Sequence, residues 1–161
     1  MSIKLAPLAL ALAAAAITLT AVAAAGPVAA KQRIAIQGTL TAAGSDTGVL
    51  TPLTSGAVGR DSVTLTGCCW SERTVMRDGQ SIDINDPMLT FTGKQGSLVA
   101  RSRVEWIDVG NGYFIGNHTW KVVRGTGDYA RLEGHGRGAV VGLPNGALKW
   151  RFEGLVGTQG G

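Results

Sequence analysis

Two histidines are the side chains in this sequence best suited to proton transfer near neutral pH. His118 alternates with Phe114 and Trp120, so these three side chains are expected on one face of a strand. A histidine among aromatic side chains can act as an acid or a base, and Glu105 is a second candidate for proton transfer. A histidine that is buried with a backbone partner shows the same pattern without any catalytic role. The pattern therefore marks His118 as a catalytic candidate and leaves its structural role open.

Other chemistry has little support in the sequence. The histidines and thiols have no recognised metal-ligand spacing, and no nucleophile elbow is present. One acidic loop could attract calcium, but its spacing does not fit a calcium-binding loop: Asp78, Asp83, Asn85 and Asp86. We therefore predict no metal and no cofactor.

A glycine motif at residues 125–130 formally fits the dinucleotide pattern G-x-G-x-x-A after a strand. That site requires a following helix whose N-terminus holds pyrophosphate. Glycines at 134, 136 and 138 disfavour such a helix, because glycine destabilises helix interiors. The motif is instead expected to form a tight turn and a closely packed strand that help to close the fold.

The only cysteines are the adjacent pair Cys68 and Cys69. Neighbouring side chains of a strand point to opposite faces, so a vicinal disulfide would need a distorted turn. The rival states are an inward free thiol at Cys69 with an outward one at Cys68, or an intermolecular bond through Cys68. The sequence slightly favours reduced or intermolecular states.

The N-terminal segment has the features of an export signal. Lys4 precedes a long uncharged run rich in alanine and leucine, and small residues follow before Lys31. We predict a cleaved signal peptide over residues 1–30, a single domain over residues 31–161, and a secreted, periplasmic or envelope location. The net charge of the chain is +4, with basic residues interleaved with acidic ones, so neither nucleic acid nor, after cleavage, a membrane is an expected partner.

The mature chain reads as about eight short strands with no helix. Apolar and polar residues alternate over residues 33–41, 62–70, 97–109, 113–124 and 148–153, while residues 42–60 predict a long loop or a weakly ordered strand. Turn signals join the strands into consecutive hairpins. The predicted fold is all-β, a small antiparallel barrel of roughly eight strands, closed because closure removes exposed sheet edges.

The second half of the chain, from about Leu89 to Val156, resembles the allene oxide cyclase and dirigent-like barrel group. The resemblance rests on Val123, Gly125, Thr126, Gly127, Tyr129, Ala130, Gly134 and Gly136, followed by the strand that ends Trp150-Arg151-Phe152-Glu153-Gly154. It implies the same closed barrel. The physical role that we expect for the motif is architectural, with Tyr129 and Leu132 filling one end of the barrel. The resemblance does not imply an activity, because one fold serves several functions.

We expect a non-catalytic barrel that binds a small apolar or aromatic ligand, or a partner, in or at its mouth. The candidate binding residues are Trp106, Phe114, His118, Trp120, Trp150 and Phe152. These side chains could equally fill the core, since a barrel of eight strands has little interior space. Two alternatives are an isomerase or cyclase that uses His118, and a structural envelope or assembly protein. The sequence leaves the oligomeric state open.

Overall fold

A computed structural model describes residues 31–41, 44, 46–69 and 71–158. They form ten β-strands and one turn of 3₁₀ helix, Gly127–Tyr129. The strands are β1 Gln32–Leu40, β2 Asp46–Pro52, β3 Asp61–Cys68, β4 Glu72–Arg77, β5 Gln80–Asn85, β6 Met88–Gly93, β7 Gly96–Gly110, β8 Tyr113–Gly125, β9 Leu132–Gly142 and β10 Leu148–Thr158. The predicted signal peptide lies outside the described residues. Within them, the chain has no helix of the length and apolar character needed to cross a membrane.

Eight of the strands close into an antiparallel barrel. Its order is β7-β6-β3-β2-β1-β10-β9-β8, and β8 pairs with β7 to complete the ring. β1 pairs along its whole length with residues 148–156 of β10, with Ile36 opposite Phe152. The prediction of an all-β, antiparallel, eight-stranded closed barrel is confirmed.

The remaining two strands, β4 and β5, form a hairpin outside the ring. It is inserted between β3 and β6, and β5 pairs with β7 through residues 83–85. The chain leaves β3 at Cys69, which has a φ of 57°, and returns at Pro87, whose carbonyl accepts a hydrogen bond from the backbone N–H of Ser102. The hairpin turns at Asp78 and Gly79, and it adds two strands to the edge of β7 outside the ring.

The weakly patterned region 42–60 contains a full barrel strand. Residues Asp46–Pro52 pair with β1 on one side and with β3 on the other. Only Leu50 of this strand is fully buried, so the sequence carries little alternation. Pairing on both edges, rather than side-chain pattern, makes this segment a strand.

The core lies inside the barrel and combines inward-facing side chains from all eight ring strands. It includes Ile34, Ile36, Phe91, Leu98, Trp120, Trp150 and Phe152. Large indole rings fit because glycines face them: a Cβ at Gly136 would lie 2.7 Å from Cε2 of Trp120, and one at Gly154 would lie 2.6 Å from Cζ2 of the same ring. The glycine-alternating strand β9 is thus a packing surface for Trp120.

One end of the barrel is sealed, and we call it the closed end. Tyr129 is fully buried there, and its hydroxyl donates a hydrogen bond of 3.0 Å to Oδ2 of Asp61. The backbone N–H groups of Lys94 and Gln95 donate to the same carboxylate at 3.1 and 3.0 Å. Burial alone would raise the pKa of Asp61, but these hydrogen bonds hold it below its ordinary value. Asp61 therefore ties together three segments that are distant in sequence.

Candidate ligand-binding site

The opposite end of the barrel is open and contains a cavity of about 470 Å³, which we call the mouth cavity. This volume lies in the range of small-molecule sites, which are mostly apolar and concave. Its walls come from all eight barrel strands, from Gly44 between β1 and β2, from the end of β5 and from Pro87 before β6. They comprise Leu40, Gly44, Asp46, Leu65, Gly67, Asn85, Pro87, Leu89, Val104, Trp106, His118, Val140, Leu148, Trp150 and Phe152.

Four of the six predicted binding residues line the mouth cavity: Trp106, His118, Trp150 and Phe152. The other two do not. Trp120 is buried deeper in the core, and its indole Nε1 donates to the carbonyl of Arg137 at 3.2 Å. Phe114 is on the same face of β8 but is 44 % exposed, because this part of the strand extends past the core toward the hairpin turn. Strand alternation gives the face of a side chain but not its height along the barrel axis.

His118 is the polar group of the cavity wall that is most fully buried, being 7 % exposed. Its ring packs at a tilt on Phe152, with 4.7 Å between ring centroids. Nδ1 lies 3.2 Å from the hydroxyl of Ser102 on β7, while Nε2 has no hydrogen-bond partner among the described residues. Burial lowers the pKa of His118 to about 4, so the ring is neutral at pH 7.

A second polar group, Asp46, lies at the start of β2 and was not identified from the sequence. Its Oδ1 accepts a hydrogen bond of 2.8 Å from the indole Nε1 of Trp150. Burial raises the pKa of this carboxyl group, and the hydrogen bond from Trp150 partly opposes the shift. No local motif marks Asp46, because its partner is 104 positions away in sequence.

The carboxylate of Glu105 does not join His118 inside the barrel. It accepts hydrogen bonds from Arg77 and Arg103 on the outer face, and these interactions keep its pKa below the ordinary value. The same face carries a groove of about 630 Å³ that Glu105 and His118 both border, with Arg137, Arg151 and Glu153 as further charged wall residues. The second histidine, His135, is exposed on the outer face of β9. Glu105 and His118 therefore border the same groove, but no hydrogen bond joins them, because Arg77 and Arg103 hold the carboxylate and Ser102 contacts the imidazole.

Both cysteines are free thiols and both are exposed. Cys69 was expected on the inward face if the strand continued, but β3 ends at Cys68. The left-handed backbone of Cys69 turns the chain into β4, and its side chain lies at the surface. A hydrogen bond with the adjacent thiol of Cys69 raises the pKa of Cys68.

The residues of the glycine motif lie away from the mouth cavity, at the closed end and along β9. Gly125 ends β8, Thr126 precedes the 3₁₀ turn, and Gly127 begins it with a φ of 58°. Tyr129 and Leu132 are both in the core, whereas the turn ends at Ala130 and Gly134 and Gly136 lie in β9. The motif is therefore architectural. Over the part of the chain described here, no cluster of three or more histidine, cysteine or acidic residues could hold a metal ion.

Comparison of the chain with protein-family models, with curated proteins and with solved structures found no match. The resemblance to the allene oxide cyclase and dirigent-like group therefore stays a prediction. Function has to be argued from the mouth cavity itself.

Proposed function

We propose that this protein is an exported, non-catalytic β-barrel that binds a small apolar or aromatic molecule in the mouth cavity. The observation that carries the proposal is the open space of about 470 Å³ at one end of a barrel whose other end is sealed. A barrel of eight strands can fill its interior with side chains, so open volume in a largely apolar wall is not required by the fold.

The composition of the wall supports an apolar ligand. Aromatic rings of Trp106, Trp150 and Phe152 offer flat apolar surface, and Leu89, Val104, Val140 and Leu148 supply aliphatic surface. Apolar surface that is covered by a ligand contributes roughly 25 cal/mol for each Å² removed from water. The polar groups on the wall are few, as in sites where they orient a ligand rather than bind it by charge.

Catalysis has weaker support. His118 is neutral and has Ser102 as its only side-chain hydrogen-bond partner among the described residues. No carboxylate of the described chain hydrogen-bonds to the imidazole, so it lacks the charged partner that commonly orients a catalytic histidine. Binding without chemistry is the simpler role for this cavity.

The proposal is tested with N-phenyl-1-naphthylamine, an uncharged dye whose fluorescence rises in apolar surroundings. We expect saturable binding to the purified protein at pH 7, with energy transfer from tryptophan, since Trp106 and Trp150 are in the wall. Leu148→Arg places a charge in the mouth cavity and should weaken dye binding at least about tenfold, because burying a charge in apolar surroundings is costly.

The matched control is Leu155→Arg, on the same strand but exposed on the outer face. This variant should bind the dye as the unmodified protein does. Absence of saturable binding, or equal affinity of the two arginine variants, would refute a ligand site in the mouth cavity.

A further inference from the structure

Buried polar groups of the described chain are satisfied with one exception. Four polar or charged side chains are buried: Gln32, Asp61, Ser102 and His118. Gln32 bonds to the backbone of Thr54 and Val58, and Asp61 receives its three donors at the closed end. Nε2 of His118 is the exception, and it belongs to a wall residue of the mouth cavity. A buried polar atom without a partner destabilises the folded protein, so its place in the wall of a cavity calls for an explanation.

The hydrogen bonds of Ser102 decide which ring nitrogen carries the proton. Its Oγ lies 3.3 Å from the carbonyl oxygen of Thr119, which can only accept, and we assign the single hydroxyl hydrogen to this bond. The contact of 3.2 Å between Oγ and Nδ1 of His118 must then be donated by the imidazole. In the neutral ring this puts the proton on Nδ1 and leaves Nε2 as a bare acceptor.

The charged groups in the wall of the mouth cavity determine which charge the ligand can carry. No cationic side chain is among its wall residues, whereas the carboxyl group of Asp46 is. An anionic ligand would place an acceptor against the acceptor Nε2 and a negative charge near Asp46. Both contacts disfavour carboxylates and phosphates.

We infer that the ligand of the mouth cavity is an uncharged apolar molecule with one hydrogen-bond donor, a hydroxyl or N–H group, which it gives to Nε2 of His118. Nε2 has almost no accessible surface in the free protein, so the imidazole must tilt toward the cavity as the ligand enters. This inference rests on the proposed function. The apolar body of the ligand covers the wall, and the donor fixes its orientation. Ser102 is a positioning residue, because it acts on the ligand only by setting the tautomer of His118.

Three probes of nearly equal shape test the inference: 1-methylnaphthalene, 1-naphthalenemethanol and 1-naphthoate. Affinities are measured by calorimetry with the purified protein at pH 7. We expect the alcohol to bind about tenfold more tightly than the hydrocarbon, since one buried hydrogen bond is gained. The carboxylate should bind more weakly than either.

The variant His118→Phe removes the acceptor and keeps an aromatic ring. It should bind the alcohol and the hydrocarbon with equal affinity, whereas the control His135→Phe, which changes an exposed outer residue, should keep the tenfold preference. Nitrogen NMR of the unmodified protein gives a readout independent of folding in the variant. The Nε2 resonance should have the position of an unprotonated nitrogen and should move on addition of the alcohol but not of the hydrocarbon.

The failures of the two proposals are distinguishable. If all three probes fail to bind, the proposed function fails as well. If the hydrocarbon binds but the alcohol has no advantage, or the carboxylate binds most tightly, the inference about the donor is wrong and the apolar site remains. A protonated Nε2 in the free protein would also overturn the inference.

Discussion

At the scale of single residues, the buried His118 in the wall of the mouth cavity makes the stability of the fold depend on pH. Its pKa is about 4 in the folded protein against an ordinary value of 6.5, because burial disfavours the charged ring. Between these pH values the unfolded chain binds more protons than the folded chain, so stability falls as the pH is lowered. The contribution is complete above pH 6.5 and lost near pH 4, and the shift corresponds to about 3 kcal/mol.

We therefore predict that His118→Phe flattens the pH dependence of the free energy of unfolding between pH 4 and 6.5. The free energy of unfolding of the variant and of the unmodified protein is measured by urea denaturation at several pH values. The contribution of the carboxyl groups, which both proteins share, cancels in the difference. His135→Phe should leave the profile unchanged, since His135 is exposed. If the free energy of unfolding depends equally steeply on pH with and without His118, the imidazole takes up its proton as readily in the folded protein as in the unfolded chain.

At the scale of elements, strands with strong alternation of apolar and polar residues were predictable from the sequence. The position of their side chains along the barrel axis was not. The patterns of β7, β8 and β10 placed Trp106, His118 and Trp150 on the inward face, as found. Phe114 and Trp120 share that face, but one extends beyond the core and the other lies beneath the cavity. The position of a side chain along the barrel axis depends on the stagger between neighbouring strands. Stagger is a property of a pair of strands and cannot be derived from the sequence of one strand.

Strand β9 shows how small residues fit one element to another. Gly136→Ala would bring Cβ to 2.7 Å from Trp120 and still closer to the carbonyl of Glu153, so the strand or the indole must move. We predict a loss of about 1–3 kcal/mol in the free energy of unfolding, measured by urea denaturation.

Gly142→Ala on the same strand is the control, because its Cβ would meet only side chains, at 3.3 Å and beyond. Both changes restrict the unfolded chain equally, so the difference between them reports packing. Equal stabilities would mean that β9 does not pack against Trp120 as described.

At the scale of the whole molecule, the two ends of the barrel differ. The closed end is sealed by Tyr129 with Asp61 and by Gln32 with the β2–β3 connection, and every buried polar side chain there is satisfied. The open end keeps unfilled volume and an unpaired ring nitrogen. Closure was predictable from strand count and hairpin order. The mouth cavity was not, since it is the difference between the volume enclosed by eight strands and the volume of the side chains inside.

The closed end gives a prediction about the whole barrel, because Asp61 connects β3, the β6–β7 turn and the 3₁₀ turn. Tyr129→Phe removes one donor from a buried carboxylate and should cost about 1.5–3 kcal/mol at pH 7, the range for hydrogen bonds to charged groups. The folded-state pKa of Asp61 is below its ordinary value, so this stability is present above that value and is lost as the pH falls through the folded-state pKa. The loss of stability caused by the variant, measured by urea denaturation, should therefore become smaller in acid.

The control is Tyr113→Phe, which removes an exposed hydroxyl on β8. It should alter the free energy of unfolding by less than about 0.5 kcal/mol at every pH. If the two variants are equally stable, Asp61 does not hold the closed end through Tyr129.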